Sequence, residues 1–96
     1  MGTFKKCVKF GASWCQPCRI LTPIFHRASE IEDFKDIEFY DLDIDDPNNA
    51  ELVRNYQIRN VPTVLCLDEN NEILRKVVGA VPEHQFVSTL RDILFN

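Results

Sequence analysis

Apolar side chains recur with two different periods along this chain. In FKKCVKF, from Phe4 to Phe10, they form a short run that reads as a strand entering a loop with two cysteines. From about Cys15 to Phe34, Ile20, Leu21, Ile24, Phe25, Ala28 and Ile31 recur at helical spacing. Arg19, His26, Arg27 and Glu30 fall on the opposite side, so the pattern predicts an amphipathic helix. Pro23 lies inside it, lacks an N–H and crowds the preceding turn, which predicts a kink. A second strand is expected over Ile37 to Ile44, ending at the turn IDDPNN. There Asp46 is placed to cap a short helix with Pro47 in its first position, and Ala50, Leu52, Val53 and Tyr56 supply its buried side. Thr63 to Leu67 and Glu72 to Val78 read as two strands joined by DENN, a hairpin connection. From Pro82 to Phe95, the stripe Phe86, Val87, Leu90, Ile93 and Leu94 predicts a final helix.

The resulting order, β-α-β-α-β-β-α, implies an α/β fold in a single domain over residues 1–96. Its first half needs parallel strands and a right-handed crossover. The later hairpin adds antiparallel strands, making a four-stranded mixed sheet with helices on both faces.

Composition narrows the function classes. With 45% hydrophobic and 27% charged residues, the chain fits an ordinary soluble domain. A net charge of −4 argues against nucleic acid as the main partner, which usually requires a basic face. No apolar run approaches membrane-spanning length, and the opening MGTFKKCVKFG carries no signal-type apolar stretch, so a cytoplasmic protein is expected. Of the four cysteines, Cys7 and Cys66 lie inside apolar runs and are expected as buried core thiols. Cys15 and Cys18, in GASWCQPCRI, are spaced for redox exchange, a metal or a structural bridge. A zinc site needs two further ligands, yet there is no second CxxC and His26 lies two turns along the helix. A purely structural bridge across so small a loop would constrain little of the unfolded chain. His26 and His84 are expected as solvated surface histidines.

Five motifs in order resemble the thioredoxin family. FGASWCQPC matches its strand–loop–helix with W-C-x-P-C, and NVPT matches its proline loop at residues 60–63. Gly79 follows KVV as the family's glycine follows the last strand, Pro23 falls where its active-site helix kinks, and DIDDP resembles the turn after its third strand. The match runs from Phe4 almost to the end of the chain.

The resemblance implies a thiol–disulfide oxidoreductase with no bound cofactor beyond the Cys15–Cys18 redox disulfide, reducing disulfide-containing proteins as a monomer. A thioredoxin-reductase-type flavoprotein is the implied electron donor. Cys15, at a helix N-terminus, would be the more exposed cysteine and the nucleophile, favoured as thiolate by free N–H groups and the helix dipole. Cys18 would resolve the mixed disulfide. Pro17 stiffens the spacer, and Trp14 would shield the pair and offer a flat apolar surface. Pro62 would follow a cis peptide bond, and Val61 would expose backbone to an extended substrate. Two other readings stand beside this one: a glutathione-coupled, glutaredoxin-like reductase, and a docking module that works through the surface around Trp14, Val61 and Gly79 without catalysis.

Three departures from the family pattern matter. Gln16 replaces the usual glycine in the spacer, where residues tune redox potential. Lys9 stands where the family keeps a buried aspartate, and Asp41 where it tends to keep a lysine. This suggests a swapped pair facing each other beneath Cys18, because a buried lysine needs a carboxylate. The alternative is that Lys9 snorkels to solvent while Asp41 and Asp43 guard a strand edge. The third departure is length: the chain lacks the strand and helix that usually precede the redox strand, which leaves residues 37–44 at an edge.

Overall fold

A computed structural model describes residues 2–96. The elements run in the order β1 (Phe4–Gly11), α1 (Gln16–Ser29), β2 (Glu38–Asp43), α2 (Ala50–Asn55), β3 (Thr63–Asp68), β4 (Ile73–Val78) and α3 (Glu83–Leu94). One sheet holds all four strands in the order β2-β1-β3-β4, so β2 is an edge as expected. β1 pairs with β2 in parallel and with β3 antiparallel, and β3 pairs antiparallel with β4. The expected α/β architecture is the observed one.

Alternation along β1 separates two cores. Cys7 joins Leu21, Phe25, Ala28, Phe34, Val64, Cys66, Phe86 and Leu90 on the face covered by α1 and α3. Val8 and Phe10 turn the other way, with Leu65 and Leu67, against Val53, Tyr56 and Ile58 around α2. β3 lies between neighbours on both edges and both faces, and every residue of it is buried. That burial explains its unbroken apolar run, TVLCL. In the β3–β4 turn, Asp68 Oδ1 accepts the amides of Asn70 (2.8 Å) and Glu72 (3.0 Å), and Asn71 takes a left-handed φ of 63°.

Two expected helices are shorter than their patterns. α1 continues through Pro23 but ends at Ser29, not Phe34. Ile31 is extended, and a separate 3₁₀ turn covers Glu32–Phe34. The break tucks Phe34 under the sheet, where its ring centroid lies 6.5 Å from that of Phe39. A continuous helix would have left three residues to reach β2. The second helix begins as a 3₁₀ turn over Pro47–Asn49, and only Ala50–Asn55 is α-helical. Asp46 caps that turn, its Oδ1 accepting from Asn48 N at 2.9 Å. None of the residues in α2 is fully buried: of the expected apolar side, Val53 and Tyr56 pack half-buried on the sheet, whereas Ala50 and Leu52 stay exposed because so short a helix covers only part of it.

α3 is tied at both ends, to α1 at its start and to the 3₁₀ turn after α1 in its last turn. Arg27 donates twice to Glu83 (2.8 and 2.9 Å), while Arg91 Nε pairs with Asp33 at 2.9 Å.

Candidate active site

Cys15 and Cys18 form a disulfide across the first turn of α1. Cys15 is the N-cap residue with extended backbone (φ −96°, ψ 113°), and its Sγ accepts the amide of Cys18 at 3.2 Å. Sulfur thus occupies the place where a serine or aspartate oxygen normally satisfies a free helix N–H. Gln16 and Pro17 fill the first turn and are exposed. The two cysteines differ little in exposure, 5% for Cys15 and 3% for Cys18, so the expected contrast between them is slight.

Loop contacts hold the pair in place. The Cys15 amide bonds Ala12 O at 3.2 Å, and the Arg19 guanidinium clamps Ser13 O at 2.9 and 3.2 Å. Trp14 is 67% exposed, so it is no core residue; its indole N–H donates to Asp45 at 2.8 Å. Facing the pair is the loop before β3. The Val61–Pro62 peptide is cis, and Val61 O lies 3.6 Å from Cys15 Sγ. Pro62 O accepts from Gly79 N at 2.8 Å, so the glycine after β4 braces the proline loop. Gly79 has φ +94°, a conformation that strains any residue with a Cβ.

Beneath Cys18, Lys9 is 3% exposed and its Nζ lies 3.0 Å from Asp41 Oδ1. The two residues are direct partners in the β1–β2 register. Lys9 therefore does not snorkel, and the expected facing pair is present. A Cβ on Gly11 would fall 2.9 Å from Lys9 Nζ and 3.4 Å from Cys18 Sγ, so the glycine leaves room for the end of the Lys9 side chain beside Cys18. A cavity of about 330 Å³, lined by Cys18, Lys9, Thr22, Asp41 and Asp43 among others, opens from this point to solvent.

His26 was legible only as a surface histidine. It is exposed, but its Nε2 lies 3.4 Å from Asp41 Oδ2. Nothing in the spacing of an exposed helix position signals a carboxylate on a strand of distant sequence. Asp45, the partner of Trp14, was likewise unsignalled; Gly11, directly before the motif, was the one missed residue with a visible cue.

The other two cysteines sit opposite each other in the β1–β3 register, fully buried. Burial pushes the Cys7 thiol well up, and the adjoining Cys66 adds to the shift.

Comparison with known proteins agrees with this geometry. The thioredoxin family model matches residues 4–92. The chain belongs to the thioredoxin family. A thioredoxin of Mycoplasmoides gallisepticum is 36% identical over 87 residues, covering 91% of this chain and 82% of that protein. One from Mycobacterium tuberculosis is 32% identical over 89 residues, covering 93% and 73%. The crystal structure of a Malassezia sympodialis thioredoxin superposes with a TM-score of 0.82 at 26% identity, over 97% of this chain and 78% of that one. The family and the Cys15–Cys18 disulfide together support a thiol–disulfide oxidoreductase.

Proposed function

We propose that this thioredoxin-family protein reduces disulfides in other proteins by dithiol–disulfide exchange. The observation that carries the reading is the Cys15–Cys18 disulfide at the N-terminus of α1, packed against the Val61 carbonyl. In the dithiol form, Cys15 carries the charge most readily, because the Cys18 amide and the helix dipole both favour its thiolate. The Cys15 thiolate attacks a target sulfur, forming a mixed disulfide and releasing one target thiolate. Cys18 then attacks Cys15 Sγ, the Cys15–target bond breaks, and the second thiolate leaves.

Lys9 and Asp41 serve the second step. The ammonium beneath Cys18 favours its thiolate, Asp41 balances the buried cation, and the cavity leads the thiol proton to solvent. Trp14, next to Cys15, and the half-buried Val61 border the pair with apolar surface, suited to an extended segment of a protein substrate. Electrons come from a thioredoxin-reductase-type flavoprotein, no resident cofactor is needed, and the protein works as a cytoplasmic monomer.

The test is the equilibrium potential of the Cys15–Cys18 pair in dithiothreitol and glutathione buffers. We expect a value clearly more negative than the glutathione couple, together with reduction of insulin disulfides. A value at the glutathione poise would assign the protein to glutathione coupling instead. Insulin reduction that survives Cys15→Ser would overturn the mechanism.

A further inference from the structure

Asp41 has both carboxylate oxygens engaged, Oδ1 by Lys9 at 3.0 Å and Oδ2 by His26 at 3.4 Å. The Lys9 contact is nearly dry, whereas the imidazole is 62% exposed and Asp41 about a third exposed (32%). A line of charge thus runs from the floor of the Cys18 cavity, through Asp41, to a side chain in contact with water. Its outer end is the one side chain type whose ordinary titration falls near neutral pH. We infer that His26 is a positioning residue for the resolving step: its charge, acting through Asp41, sets how strongly Lys9 favours the Cys18 thiolate.

The inference rests on the role given above to Lys9 and Asp41. With His26 neutral, the carboxylate balances Lys9 alone. With His26 protonated, Asp41 is shared between two cations and Lys9 is less fully compensated, so more of its charge acts on Cys18. Other charged groups stand nearby: Arg19 lines the cavity together with Asp43 and is held on Ser13 O. Arg27, next on α1, is held by Glu83 at the start of α3. Asp43, on the same face of β2 as Asp41, accepts the Asp45 amide at 2.9 Å. Glu30, one turn on along α1, is exposed. The His26 and Phe25 rings stand nearly perpendicular, with centroids 6.2 Å apart.

The step itself is unchanged. The protein dithiol gives two electrons to the target disulfide, the Cys15–Cys18 bond forms as the Cys15–target bond breaks, and the Cys18 proton leaves to solvent.

The reduced protein is mixed with the disulfide of nitrothiobenzoate, which releases one coloured thiolate when Cys15 attacks and a second when Cys18 resolves. Both phases are followed by stopped flow across the pH range. The first phase, which does not depend on Cys18, is the internal control. We expect the second phase of His26→Gln to match the wild type at alkaline pH. In mildly acid buffer it should be about threefold slower, a modest factor because the exposed outer pair is screened by solvent. His26→Lys, which keeps a cation there, should speed the second phase at alkaline pH by a similar factor. Second-phase profiles of His26→Gln that superpose on the wild type overturn the inference, as does an equal slowing at every pH. Asp41→Asn separates the two readings. If it leaves the second phase unchanged, the Lys9–Asp41 role fails first; if it alters that phase while His26→Gln does not, only the inference about His26 fails.

Discussion

The protein carries two pairs of facing cysteines, and all four are buried. Cys7 and Cys66 face each other across the central strands, walled in by Leu21, Phe25, Phe34 and Phe86. Cys15 and Cys18 lie at the rim of the sheet, where a helix begins, a backbone amide points at sulfur, and a cavity brings an ammonium close by. Exposure differs by only a few per cent between the pairs, so accessibility does not separate a core thiol from a redox thiol here. Electrostatics does. Apolar walls disfavour a thiolate and push the Cys7 thiol up. A helix N-terminus favours one.

The comparison is broken most directly by substitution at the nucleophile. Cys15→Ser should abolish insulin reduction, a loss of at least ~10³-fold in turnover, while Cys7→Ala leaves turnover within about twofold. Iodoacetamide applied to the reduced native protein should label Cys15 first and reach Cys7 and Cys66 only in denaturant, which peptide mapping would show. Next in size is the stability carried by the inner pair. Cys66→Ala removes a fully buried sulfur and should cost about 1–2 kcal/mol, read from the urea midpoint, without changing turnover. The Cys7 thiol titrates higher in the folded than in the unfolded protein, so its contribution is complete below the unfolded value of about 8.5. It declines as pH rises above that value, and Cys7→Ala should flatten the alkaline fall in stability.

Around the outer pair, Lys9→Met removes the cation beneath Cys18 and should make its thiolate harder to form, read as a slower resolving phase at neutral pH. Asp41→Asn should alter that phase in the opposite sense and destabilise the fold by leaving a buried ammonium unpaired. Gly11→Ala is subtler. Its methyl would press on Lys9 Nζ and Cys18 Sγ, so the resolving phase should slow by a few-fold while the first phase holds. Smallest is the Arg27–Glu83 tie, far from both pairs. The Glu83 carboxyl sits below its ordinary value because Arg27 donates to it. That contribution is present above the unfolded pKa and is lost as pH falls through the folded one. Glu83→Gln should lower Tm slightly at neutral pH and make no difference in strong acid.

Much of the site was visible in local residue patterns. W-C-Q-P-C, the proline loop and the glycine after β4 are each a handful of adjacent residues whose chemistry is set where they stand. Lys9 and Asp41 were visible as a pair only because each departs from the family's pattern in a complementary way. The β1–β2 register then placed them 3.0 Å apart. His26 and Asp45 could not be read, since an exposed polar residue looks the same whether or not a distant carboxylate or indole comes to meet it.

By itself, the sequence determined what depends on neighbours along the chain. The alternation of β1, the helical stripes of α1 and α3, the all-apolar β3 and the cap at Asp46 follow from backbone geometry and local hydrogen bonding. Tertiary structure decided everything that depends on what lies across the sheet. Helix α1 stops at Ser29, and the extended Ile31 and the turn after it place Phe34 fully buried under the sheet. Leu52 stays in solvent because α2 is too short to cover it, and Cys7 meets Cys66 because β1 and β3 share a register. Propensity acts over one or two turns, whereas burial and charge pairing are settled only when distant segments arrive at the same place.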